Sequence, residues 1–257
     1  MNWSRTKTIF IITFLFLNIF LTWQLIEKNN SNQMNMIAQA TIQEVLRDNN
    51  VTIDVELPEE TTTAGHILGK AVPFSERQMN ALSNQEADLL DGTTIIAELN
   101  EPFELREDQF SQDLNQFLTS YITNGREYRF GRFDTEARQI LMQQTYEGKT
   151  AYAFEAEPLV LQLNEDREIV AYEQSYYEFE PTGREREVLT SIKAIEVLLN
   201  AQHIGVNDTV THVEFGYYSL HNLQGGGAQV FAPMWRVTVE GETYLVHAIN
   251  PEIQQLS

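Results

Sequence analysis

The chain opens on its longest apolar run. Ile9 to Ile26 reads IFIITFLFLNIFLTWQLI and contains no charge. At about 1.5 Å per residue a helix of that length rises roughly 27 Å, close to the ~30 Å hydrocarbon core of a bilayer. A cleaved signal peptide would share the positive flank made by Arg5 and Lys7. The exit Thr22-Trp23-Gln24-Leu25-Ile26-Glu27-Lys28 offers no small-x-small cleavage site, however, so the pattern predicts an uncleaved anchor. Arg5, Lys7 and the amino terminus lie on one side of the span, whereas Glu27 and Lys28 cancel on the other. The positive-inside rule then puts the tail 1–8 in the cytoplasm, the span at 9–26, and everything later outside. Trp3 and Trp23 fall near the two interfaces, where indoles prefer to sit.

Ile11, Phe14, Asn18, Thr22 and Leu25 share one face of this helix and are the candidate contacts for a partner in the membrane. The amide of Asn18 has no water inside the span. It either meets a partner helix, in a bond worth about 0.6–2 kcal/mol, or bonds its own backbone.

Beyond the span, 27–50 reads as a linker and a helix. Asn29 to Gln33 is a polar break, and Met34 to Arg47 sets Ile37, Thr41 and Val45 on one side. Residues 51–156 and 157–257 then read as two similar units. In the first, strands are expected at 51–57, 67–72 and 95–99, with Asp91-Gly92 as a turn. A helix follows at 107–124, where Phe110, Leu114, Phe117, Leu118, Tyr121 and Ile122 keep helical spacing and Gly125 offers a C-cap. Three strands at 127–133, 139–146 and 150–156 close the unit. The second unit repeats that order. Strands at 158–163 and 168–179 precede a helix from the N-cap Thr190 to Ala201, and strands at 210–220, 230–240 and 242–249 complete it. Trp235, Val237 and Val239 alternate with Arg236, Thr238 and Glu240, so that sheet has a dry and a wet face. The expected fold class is α+β: an N-terminal transmembrane helix, then two extracytoplasmic units, each a helix packed on an antiparallel sheet.

Charge narrows the function. The 257 residues hold 17 Lys or Arg and 37 Asp or Glu, for a net −20. So acidic a chain can hardly supply the basic surface that a nucleic acid requires. The absence of cysteine excludes disulfides, thiolate catalysis and Cys-ligated zinc. His203, His212 and His221 recur at a spacing that suits neither a helical ligand pair nor H-E-x-x-H, and His66 and His247 stand apart, so no metal or cofactor is expected. There is no G-x-S-x-G elbow. Gly225-Gly226-Gly227 precedes a strand and lacks a lysine, so it reads as a hairpin tip and not a phosphate loop. Arg126, Arg129, Arg132 and Arg138 could grip an anionic polymer, but a salt-bridged wet face is the simpler reading. These patterns yield no catalytic residue.

The start MNWSRTKTIF resembles the opening of the YycI family of low-GC Gram-positive bacteria. Val170-Ala171-Tyr172-Glu173-Gln174-Ser175-Tyr176, Ala194-Ile195-Glu196, Val213-Glu214-Phe215-Gly216-Tyr217-Tyr218, Pro233-Met234-Trp235-Arg236-Val237 and Tyr244-Leu245-Val246-His247-Ala248-Ile249 resemble that family's blocks, in its order. Residues 50 to 105 carry little of the likeness, and Pro251 stands where a Gly is expected after the last strand. The resemblance implies a non-catalytic accessory protein of the essential cell-wall two-component system. Its implied partners are a sensor histidine kinase (YycG, also called WalK) and a YycH-like protein, met partly through transmembrane helices. It implies a fold of repeated strand and helix units, and it favours a partner helix at Asn18. Two other classes stay open: an extracytoplasmic binding module for a peptide or wall polymer, with Tyr172, Tyr176, Tyr177, Tyr217 and Tyr218 lining a groove, and an extracytoplasmic hydrolase.

Overall fold

The structure is a computed structural model that describes residues 3–58, 61, 63–153, 157–219 and 228–256. His221, the Gly225–Gly227 tip and the end of the strand expected at 150–156 lie outside the described residues.

Helix α1 (Trp3–Asp48) runs through the apolar span and on for more than twenty further residues. The break expected at Asn29–Gln33 is therefore corrected. Asn, Ser and Gln each cost less than about 0.7 kcal/mol in a helix interior, and no Gly or Pro lies among them to stop it. Near its C-terminal end α1 buries Ile42 and Leu46 in the core of the outer part.

The remaining elements follow in order. They are β1 (Thr52–Ile53), β2 (Thr63–Ala71), α2 (Glu76–Ala81), β3 (Gln85–Leu90), β4 (Thr94–Phe103), α3 (Phe110–Tyr121), β5 (Tyr128–Asp134), β6 (Gln139–Tyr146) and β7 (Lys149–Ala153). Then come β8 (Leu159–Leu163), β9 (Ile169–Ser175), β10 (Tyr177–Glu187), α4 (Ser191–Asn200), β11 (Thr209–Ser219), β12 (Gln229–Val239), β13 (Glu242–His247) and β14 (Ile253–Leu256). The mixed α+β class is as expected. Two helices each cover a sheet face. Leu114, Phe117 and Leu118 of α3 pack on Ile95, Ile140, Met142, Leu159, Leu161 and Ile169. Ile192, Ile195 and Leu198 of α4 pack on Val210, Val213, Phe215, Trp235, Val237 and Val246. Thr190 caps α4, its hydroxyl accepting from the Lys193 N–H.

The strands do not divide at residue 157. β8 pairs with β6 and β9 with β4, so the first core extends beyond the expected boundary. β1 pairs with β11, and β2 with β10 and β12, so the start of the expected first unit belongs to the second core. β7 lies parallel to β11 and joins the two halves into one fourteen-stranded sheet. Burial decides this arrangement. The alternate residues Leu159, Leu161 and Leu163 of β8 fit beneath α3, whereas Ala64 and Ile67 of β2 fit the α4 core. Gly125 also has a different role from the expected C-cap. Asn124 takes the left-handed conformation at φ 54°, and Gly125 passes so close to the Leu118 carbonyl that a Cβ would lie 1.7 Å from its oxygen.

Candidate functional site

Lys7–Ile26 of α1 has a mean hydropathy of 2.2, and none of it is buried within the protein. It is long and apolar enough to cross a membrane. At 100° per residue, Ile11, Phe14, Asn18, Thr22 and Leu25 fall within an arc of about 80°. The stripe is open, as are the other faces of the span: Ile11 is 68% exposed, Phe14 65% and Leu25 60%, beside Phe16 at 67%.

The two polar members are tied into the helix itself. Asn18 Nδ2 donates to the Phe14 carbonyl at 2.8 Å, and Thr22 Oγ1 donates to the Asn18 carbonyl at 2.8 Å. Of the two possibilities open for Asn18, this structure of a single chain shows the backbone bond. The threonine hydroxyl has its acceptor and needs no partner. The Asn18 amide keeps its Oδ1 and a second N–H without a partner among the described residues. In hydrocarbon each such group is costly, so Asn18 is the stripe residue that gains most from a polar partner.

In the outer part, a cleft of about 940 Å³ opens on the faces of β11 and β12 turned away from α4. His212, Glu214 and Tyr218 alternate with the core residues Val213, Phe215 and Tyr217, which sets them on the cleft side. Arg129 meets Glu214 at 3.1 Å, the Thr150 hydroxyl donates to the same oxygen at 2.6 Å, and His212 Nε2 lies 3.4 Å from the other. Burial opposes ionisation of Glu214, but the contacts from His212, Thr150 and Arg129 outweigh it and hold the carboxyl at about 2. Burial pushes the Tyr218 hydroxyl up.

The tyrosine groove that the alternative binding-module reading requires is not assembled. Tyr172 packs in the α3 core and Tyr217 in the α4 core, while Tyr176 donates to Glu127 at 2.8 Å. Tyr218 points to the opposite face from Tyr217, because adjacent strand residues alternate. Three of the four arginines singled out in the sequence form ion pairs: Arg129 with Glu214, Arg132 with Glu157 at 3.4 Å, and Arg138 with Glu165 at 3.4 Å. The His203 ring lies 4.8 Å from that of Tyr244 at a tilt of 44°, and His66 lies 5.8 Å from His247, ring to ring. His247 Nδ1 accepts from the N–H groups of Ile249 and Asn250, which closes the turn after β13. Among the described residues no three potential metal ligands gather. The cleft was missed in the sequence. Its signals were scattered: Arg129, Arg132 and Tyr218, singled out there for other reasons, and Arg236 on the wet face of β12 all line it.

These features define an α+β protein carried on one helix long and apolar enough to cross a membrane. The profile of the YycI protein family matches residues 29–249, most of the chain, and the chain belongs to that family. The family is a regulatory accessory family of the YycFG two-component system. Among solved structures, the chain is similar to an uncharacterized protein from Eubacterium rectale ATCC 33656, at 12% identity and a TM-score of 0.45 over 80% of this chain and 86% of that one. It is also similar to YycH from Bacillus subtilis, at 13% identity and a TM-score of 0.34 over 74% of this chain and 53% of that one. No curated protein matches the chain in sequence.

Proposed function

We propose that the chain is a non-catalytic, single-pass regulator of a sensor histidine kinase that controls cell-wall metabolism. Residues 1–8 are cytoplasmic, 9–26 cross the membrane, and the α+β part is outside. Ile11, Phe14, Asn18, Thr22 and Leu25 pack against the membrane helices of the kinase and of a YycH-like protein. The observation that carries the reading is the incompletely satisfied Asn18 amide within an apolar helix that is exposed all round, in a member of a regulatory accessory family.

Continuity of α1 supports the same reading. The helix that bears the stripe also inserts Ile42 and Leu46 into the outer core. A change in that core therefore acts on the span without an intervening flexible joint. Coupling of 1–3 kcal/mol is the usual size of such linkage, and one interhelical amide bond with packing along the stripe is enough to reach it.

The test replaces the whole span by an unrelated transmembrane helix of equal length and reads kinase output in cells. Loss of regulation, with the outer part still displayed and folded, is the expected result. Full regulation by the chimera would move the working contact to the outer part.

A further inference from the structure

Six buried side-chain polar atoms lack a hydrogen-bond partner among the described residues, and three of them belong to residues lining the 940 Å³ cleft: Gln143 Oε1, Tyr218 Oη and Arg236 Nε. Leaving such a group unpaired costs about 1–3 kcal/mol, so three in one place call for an explanation. Arg236 is the sharper anomaly. It is half-buried in an acidic protein, yet it has no carboxylate within ion-pair distance among the described residues. Its register partner across the ladder is Glu214, but both oxygens of Glu214 are engaged by Arg129, Thr150 and His212. Arg132 is likewise committed to Glu157. Arg236 is thus the one cleft arginine without a carboxylate at ion-pair distance among the described residues, although Glu242 also lines the cleft.

We propose that this cleft binds the carboxylate end of an extended peptide, with Arg236 and Tyr218 as the carboxylate donors. The inference is independent of the helix reading. Two of the unpaired atoms are donors, which suit a carboxylate, and the third, Gln143 Oε1, is an acceptor, which suits a backbone N–H. A guanidinium grips a carboxylate through paired N–H bonds, and Tyr218, only 2% exposed, contributes a hydroxyl that adjoins the Arg236 guanidinium and keeps its own proton to donate. All three unpaired atoms are shielded from solvent, so binding goes with side-chain rearrangement at Arg236, Tyr218 and Gln143 together. Strands β5 and β14 both contribute to the cleft lining, and among the described residues each is hydrogen-bonded to one neighbouring strand. Such open edges offer main-chain groups to an extended peptide. A polyphosphate chain fits less well, because Glu214 and Glu242 line the same cleft and repel dense negative charge.

The test uses the full chain in nanodiscs and equilibrium dialysis against three probes. These are an equimolar pool of N-acetyl tetrapeptides with free carboxylates, the same pool as C-terminal amides, and inorganic phosphate. The carboxylate pool should be retained at least tenfold better than the amide pool. Arg236→Gln and Tyr218→Phe should each reduce retention severalfold. Tyr218→Phe preserves shape, so it reads the hydroxyl even if the arginine variant folds poorly. Equal retention of the two pools, no retention of either, or undiminished retention by Tyr218→Phe overturns the proposal. Retention of phosphate without peptide would overturn it in favour of a simple anion site.

Discussion

Asn18→Leu isolates the polar centre of the stripe. The substitution removes an amide that spends one N–H on the Phe14 carbonyl and leaves its remaining hydrogen-bonding capacity for a neighbour. Leucine is apolar and a strong helix former, so membrane insertion is not weakened. An interhelical amide bond contributes about 0.6–2 kcal/mol, which is about 3- to 30-fold in association with the partner helix. Thr22→Val is the internal control on the same face, because the Thr22 hydroxyl is already satisfied by the Asn18 carbonyl at 2.8 Å. Phe16→Leu is the control on the opposite face, about 160° from Asn18 at 100° per residue. Co-reconstituted kinase and labelled chain, titrated by energy transfer in vesicles at several protein-to-lipid ratios, would measure the three shifts. The expected order is Asn18→Leu weakest in association, with Thr22→Val and Phe16→Leu close to wild type. Equal association of Asn18→Leu and Phe16→Leu would refute the reasoning.

Trp235→Phe should cost about 2–4 kcal/mol in denaturant unfolding of the detergent-solubilised chain. The side chain is fully buried and its indole N–H donates to the Leu189 carbonyl at 2.8 Å, so a loss below 0.5 kcal/mol would contradict that packing. Burial and the neighbouring His66 ring push the His247 imidazole below its ordinary value of 6.5, with Glu252 partly opposing. The folded state binds this proton less tightly than the unfolded chain, so stability is full above about pH 6.5 and falls as the pH drops through and below it. Thermal midpoints between pH 7.5 and 5.5 should fall less steeply in His247→Gln than in wild type. Glu214, held at about 2 against an ordinary value of 4.5, stabilises the fold above pH 4.5 and loses that contribution as the pH falls toward 2. Glu214→Gln should flatten acid unfolding in that window.

Local patterns were legible where one element buries one face. The i, i+4, i+7 spacing of Phe110, Leu114 and Phe117 and the alternation of Trp235, Val237 and Val239 are answered by α3 and β12. Long-range pairing was not legible. The parallel contact of β7 with β11 and the placement of β2 beside β12 join segments far apart in sequence, and no local signal specifies them. Gly125 shows the same limit, since its requirement for a missing Cβ comes from the Leu118 carbonyl and is invisible in its own dihedral preference. The candidate helix face followed directly from helical spacing, because a single helix needs no tertiary information to define its sides. The cleft needed strands from both halves, and the orphaned atoms of Gln143, Tyr218 and Arg236 become visible only once those strands are placed.

The central claim is that one face of the span carries the regulatory contact. Photoreactive residues placed singly at Ile11, Phe14, Asn18, Thr22 and Leu25, and at Ile12, Phe16 and Ile19 as off-face controls, would test it in living cells. The account predicts kinase and YycH-like adducts from the first set, strongest at Phe14 and Asn18, and few from the second. Adducts distributed evenly around the helix, or none from the first set, would contradict it.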